Sequence, residues 1–275
     1  MTDEQPIDEQ VQYRLEGGVA WITLNRPEVK NAISPDQRDR VIALLAEASE
    51  LLAVRAVVIG GSGDSFCTGA DLRATRTAPP RPEGAPDRAL GDVARLIRDG
   101  AQRLVAAILD CEKPVIAALN GTAAGIGAHI ALACDLVVAA EGARLIEVFV
   151  RRGLVPDGGG AYLLPRLVGV QKAKELLFLG DDISAAEAQR IGLVSKVVPA
   201  DQLDATVLEL ATRLATGPTR ALSLTKWLVN RSLESDRGGA FADEAWAQEL
   251  NMGTADANEG VQSFIQRRPP EYHGW

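Results

Sequence analysis

Apolar residues along this chain change spacing from element to element, and the changes predict an alternation of strands and helices. Residues 19–24, VAWITL, form a short β-rich run that Asn25-Arg26-Pro27 closes with a turn signal, so they read as a first strand. Ser34-Pro35-Asp36-Gln37 then marks a helix start, with Ser34 as N-cap, Pro35 in the first helical position and Gln37 at the capping-box position; the helix should run to about residue 52. Residues 56–59, AVVI, read as the next strand, and strand, helix, strand implies a crossover unit. Helical spacing over residues 92–109 ends at Lys113-Pro114, before a buried strand at 115–119. A helix at about 125–134, a strand at 136–139, helices at 162–168, 171–179 and 184–191, and a strand at 194–198 follow. Beyond residue 200 the pattern is helical only. The expected division is therefore a mixed core over residues 1–199 and a helical appendage or oligomer-forming face over 200–275. The proline-rich stretch 75–87 reads as a mobile surface loop of the kind that covers a site.

Composition narrows the function classes. With 29 basic and 37 acidic residues the formal charge is −8, which opposes binding to nucleic acid and to anionic membrane surfaces. Any anionic ligand must be held locally. Cys67, Cys111 and Cys134 are odd in number and widely spaced, which fits neither a disulfide framework nor a zinc site. With an acidic, polar N-terminus and no apolar run of membrane-spanning length, the expected location is cytoplasmic.

Two glycine-rich turns concentrate the candidate chemistry. Gly121, Gly125 and Gly127 fall at a strand end and a helix start, where missing Cβ atoms let backbone amides approach an anion or a developing oxyanion; close helix-to-strand packing would explain them equally well. The string GTAAGIG gives neither the order of a dinucleotide fingerprint nor a P-loop lysine. The second turn, GLVPDGGG, carries a lone acid, Asp157, which is either an N-cap or a carboxyl placed for proton transfer.

Leu24-Asn25-Arg26-Pro27, Phe66-Cys67-Thr68-Gly69-Ala70-Asp71-Leu72, the run KPVIAALNG ending at Gly121, and Ala185, Glu187 and Ala188 with Gly192-Leu193-Val194 together resemble the enoyl-CoA hydratase/isomerase, or crotonase, superfamily. The resemblance implies an α/β fold, a spiral of repeated β-β-α units with a C-terminal helical region, and a homotrimer or dimer of trimers acting on acyl-CoA thioesters. Coenzyme A then arrives as part of the substrate, with no metal and no permanently bound cofactor. It implies an oxyanion hole made by the amides of Ala70 and Ile126. Glu28, Val29, Ala70, Asp71, Leu72 and Arg73 should line the CoA channel, Gly125 and Phe149 the thioester site, and Arg267 lies where relatives offer the CoA a cation.

Where hydratases carry two glutamates, this chain has His129 and Phe149. His129 is either a base in its own right or a packed helix residue. Glu147, two positions from Phe149, is expected to be a surface or interface acid. Asp157 matches the acid of certain isomerases and hydrolases, and the segment around it is most similar to ring-1,2-epoxyphenylacetyl-CoA isomerase-like enoyl-CoA isomerases. The expected activity is therefore a double-bond or ring isomerisation with Asp157 as acid and base. Hydration, thioester hydrolysis and non-catalytic acyl-CoA binding are the alternatives.

Overall fold

The structure is a computed structural model and describes residues 6–74, 82–86 and 89–275. Most of the proline-rich loop expected at 75–87 therefore lies outside the described residues. After a short helix α1 (Ile7–Gln10), the first strand is β1 (Val11–Glu16), one element earlier than the sequence pattern gives. It turns back through Gly17 and Gly18, both at positive φ, to pair antiparallel with β2 (Val19–Leu24). Along β1 the first residue, Val11, is the buried one, so the strand carries no apolar run to betray it.

The helix α2 (Pro35–Glu50) begins as expected: the Ser34 hydroxyl accepts the Gln37 amide N–H at 3.2 Å and the Gln37 side chain accepts the Ser34 N–H at 3.0 Å. The strands β3 (Ala56–Gly61) and β4 (Ser65–Cys67) lead to a single helical rod made of α3 (Asp92–Ile97), a π-helical turn (Arg98–Gln102) and α4 (Arg103–Leu109). Next come β5 (Val115–Leu119), β6 (Thr122–Ala124) and α5 (Ile126–Ala133), then β7 (Leu136–Ala140), β8 (Arg144–Ile146) and α6 (Gly160–Val168). α7 (Val170–Leu179), β9 (Asp182–Ser184), α8 (Ala185–Arg190) and β10 (Lys196–Val198) complete the sheets. The rest is helical: α9 (Leu203–Ala215), α10 (Thr219–Ser232), α11 (Arg237–Met252) and α12 (Ala255–Gln266).

Three successive units repeat strand, short strand, helix. In each, the longer strand joins one sheet of order β1-β2-β3-β5-β7-β10 and the short one joins a second sheet of order β4-β6-β8-β9. All pairings within the first sheet except β1 with β2 are parallel. This is the β-β-α spiral that the family resemblance implies. The three-residue strands of the second sheet are not among the elements that the sequence pattern predicts, since so few residues carry no measurable alternation.

Apolar residues fill both faces of the larger sheet. On one face Val41, Leu44 and Leu45 of α2 join Leu104 and Ile108 of α4 and Ile130 of α5 in the main core. On the other, Leu203, Val207 and Ala211 of α9 cover Val58, Ile116 and Val138. Arg55 ties in the C-terminal segment, donating to Gly217 O at 2.5 Å, Thr219 Oγ1 at 3.0 Å and Tyr272 O at 3.1 Å. Lys226 of α10, its side chain 7 % exposed, reaches Asp135 at 2.9 Å and fixes α10 to the turn before β7.

Candidate active site

The end of β4 and the start of α5 meet at the amides expected to form an oxyanion hole. Ile33 N–H donates to Gly69 O at 2.8 Å and Asp71 N–H donates to Ile33 O at 2.9 Å, making a parallel bridge between Ile33 and Ala70. Such a bridge leaves the N–H of Ala70 itself turned to the opposite side. Gly69 holds φ of 114°, and a Cβ there would sit 3.2 Å from Ala124 O, so glycine is needed both for the bend and for the approach of β6. Gly125 introduces α5 at φ of 54°, leaving Ile126 as its first residue, where the N–H has no acceptor within the helix. A Cβ on Gly127 would lie 2.0 Å from Cys67 O. The first turn of α5 is thus pressed directly on the end of β4, three residues before Ala70.

Asp157 stands in the second glycine turn and is half-buried. It is not a helix cap, because Gly159 occupies the N-cap of α6 and no side chain bonds there. Burial pushes its carboxyl above the ordinary aspartate value, against the opposing pull that His129 exerts when charged and that of its own backbone N–H. A carboxyl raised in this way is a stronger base once ionised.

His129 is fully buried, and its Nε2 lies 3.0 Å from Glu147 Oε2. The imidazole also stacks on Phe149, with ring centroids 5.3 Å apart and planes 12° from parallel. Glu147 is 3 % exposed, which corrects the expectation of a surface or interface acid. The physical reason is its partner: the chain is buried continuously from Leu145 to Glu147 at the end of β8, and the Glu147 carboxyl meets the buried imidazole of His129. The side chain of Ile126 is buried too and lies against Gly158, where a Cβ would come within 2.4 Å of Ile126 Cδ1.

The expected CoA-lining segments are joined by a residue that the sequence reading treated as part of a turn. Arg26 Nη1 donates to Asp71 Oδ2 at 2.9 Å, and Arg26 Nε lies 3.7 Å from Glu28. Burial raises the Asp71 carboxyl, but hydrogen bonds from the Arg73 amide and from Arg26 outweigh it and hold the group below the ordinary value. Glu28, Ala70, Leu72 and Arg73 are exposed, while Val29 and Asp71 are partly buried. At the far end of the chain Arg267 caps α12 at φ of 55°. Its neighbour Arg268 is taken by Glu259 at 2.5 and 2.7 Å, which separates the expected basic pair and leaves the Arg267 side chain exposed with no ion pair among the described residues.

Two cavities sit away from Asp157. One of about 630 Å³ runs along α3, lined by Ala89, Leu90, Gly91, Val93, Ala94 and Ile97. Another of about 690 Å³ lies among the C-terminal helices, between Trp227, Trp246, Leu250 and Trp275. Its acid, Glu112, is paired with Arg220 at 3.1 Å. Neither lining includes Asp157 or the first turn of α5. No group of metal-ligating side chains occurs among the described residues.

The enoyl-CoA hydratase/isomerase family model matches residues 14–274. The chain belongs to that family. Among its relatives, the 1,2-epoxyphenylacetyl-CoA isomerase of Escherichia coli (strain K12) is 36% identical over 260 residues, covering 94% of this chain and 97% of that one. The short-chain-enoyl-CoA hydratase of Clostridium acetobutylicum is also 36% identical, over 93% of this chain and 94% of its own. In three dimensions the enoyl-CoA hydratase of Bacillus anthracis superposes with a TM-score of 0.87 at 32% identity, over 97% of this chain and all of that one. The fold is therefore the crotonase fold, and the protein is a member of an enzyme family that acts on acyl-CoA. A probable enoyl-CoA hydratase of Rhodobacter capsulatus is 38% identical over 96% of this chain and 98% of its own.

Proposed function

We propose that this member of the family is an acyl-CoA isomerase in which Asp157 moves a proton between two carbons of an acyl thioester. The supporting observation is the state of Asp157: a half-buried carboxyl that caps no helix and is raised by burial. In the ionised form it takes a proton from the carbon alpha to the thioester, or from the vinylogous position. The electron pair moves onto the thioester oxygen, where the amides of Ala70 and Ile126 hold the enolate; one such donor contributes about 3 kcal/mol. The same acid returns the proton at the other end of the allylic system, so no atom is gained or lost.

Hydration makes a further demand, a second group to place and activate water. The positions where the resemblance puts the hydratase glutamates hold His129 and Phe149, and the His129–Glu147 pair is closed off from solvent. That favours isomerisation over the hydratase reading, and a bound CoA ester without turnover is the third outcome. The Glu28, Val29 and 70–73 segments, drawn together by Arg26, would hold the CoA, and α10 to α12 would assemble the homotrimer or dimer of trimers. A panel of 2-enoyl-, 3-enoyl- and aromatic CoA thioesters followed by absorbance and mass tests the reading. Isomerisation of a 3-enoyl ester at unchanged mass is expected; addition of water to crotonyl-CoA without isomerisation of any ester would refute it.

A further inference from the structure

The second glycine turn is built around a buried imidazole whose two nitrogens have different surroundings. Nε2 of His129 faces Glu147 at 3.0 Å and Gly160, where a Cβ would come within 2.3 Å of it. Nδ1 is buried, has no hydrogen-bond partner, and faces Gly158, where a Cβ would come within 2.9 Å. Phe149 covers the ring by stacking. The other close neighbours of this turn, Ala101, Val105 and Ile126, are apolar. The ring interacts with Glu147, from the end of β8, through the 3.0 Å contact, and with Asp157 through charge.

A carboxylate has no proton to donate, so Glu147 as acceptor obliges Nε2 to carry the ring hydrogen and leaves Nδ1 as a bare lone pair. A buried lone pair without a donor is costly, and the turn it faces is the one that carries Asp157. When Asp157 holds a proton taken from substrate, its O–H is the donor that such a site lacks. An N–H at the same place would favour the ionised carboxylate instead. We propose that His129 is a positioning residue for Asp157, with Glu147 fixing the imidazole tautomer so that the Nδ1 lone pair faces the turn and supports the proton-loaded acid. The inference deepens the isomerase reading and rests on it for its use in catalysis. The tautomer and the coupling to Asp157 are properties of the protein without substrate.

The test is nitrogen-15 NMR of the imidazoles, simplified by the chain having 2 histidines, so that His273→Gln assigns both. At neutral pH the wild-type His129 spectrum should show a protonated Nε2 and an unprotonated Nδ1. Glu147→Gln, whose amide accepts or donates, should move both signals toward tautomer-averaged values. In the same variant the Asp157 carboxyl, assigned by difference against Asp157→Asn and followed by carbon-13, should titrate lower by about half a unit or more. A wild-type ring protonated on Nδ1, or an unmoved Asp157 midpoint in folded Glu147→Gln, overturns the proposal. The wild-type tautomer decides it even where the variant does not fold. None of these readouts needs turnover, so the proposal fails or stands apart from the isomerase reading.

Discussion

At the scale of single residues, Asp157 carries opposite consequences for activity and stability. Replacing it with asparagine removes the acid while keeping its shape, and turnover should fall by about 10²- to 10⁴-fold in the thioester assay with CoA binding retained. The stability effect has a defined sign. An acid whose folded pKa is raised binds more protons in the native state than in the unfolded one, so its contribution to stability falls as pH rises from the unfolded value through the folded one. Asp157→Asn should therefore melt slightly above wild type at pH 7, with the difference vanishing below the unfolded aspartate value. Calorimetry at several pH values checks this, and equal melting curves at neutral pH would contradict it. Asp157 was legible in the sequence because glycines isolate it, and it needed the structure to exclude the N-cap alternative. Glu147 was not legible, since nothing local distinguishes an inward carboxylate paired with a histidine eighteen positions earlier from an outward one.

At the scale of elements, the site depends on how closely α5 meets β4. Gly127→Ala would put a Cβ against the carbonyl of Cys67, a backbone atom that has no rotamer to yield. The variant should lose about 1–3 kcal/mol or more by denaturant unfolding. Any folded fraction should lose kcat, because the proposed oxyanion amides of Ala70 and Ile126 are forced apart. Unchanged stability would show that the close approach is dispensable. The helices were readable from caps and period, most clearly α2 with its Ser34 and Gln37 box, and the long parallel strands from their apolar runs. The second sheet was not, because β4, β6, β8 and β9 have three residues each and are defined by pairing with strands distant in sequence. A glycine such as Gly127 announces a close approach in the sequence without naming the partner; the partner, Cys67, is supplied by the fold.

At the scale of the whole molecule, the C-terminal helices present a surface that a monomer would be expected to cover. Phe241, Trp246 and Leu250 on α11 are 64%, 69% and 66% exposed, and Phe264 and Ile265 on α12 are 85% and 66% exposed. Exposed apolar area on this scale marks a contact surface more often than a solvated one. Lys226 holds α10 to Asp135 in the core, Arg231 of α10 pairs with Asp243 of α11 at 2.5 Å, and the carboxylate of Asp256 on α12 accepts the His273 and Gly274 N–H groups of the C-terminal tail at 2.7 Å each. A surface so held is offered in a fixed shape, which lowers the ordering cost of assembly. The proposed homotrimer or dimer of trimers should appear in light scattering at three or six times the 29.2 kDa chain mass. Trp246→Glu combined with Leu250→Glu should shift the mass toward one chain while circular dichroism keeps the helical signal. These changes lie on the outer helices, so the proposed oxyanion amides and Asp157 are untouched. A wild type that scatters as a monomer, or a double variant that keeps the full oligomeric mass, would assign the apolar face to another partner.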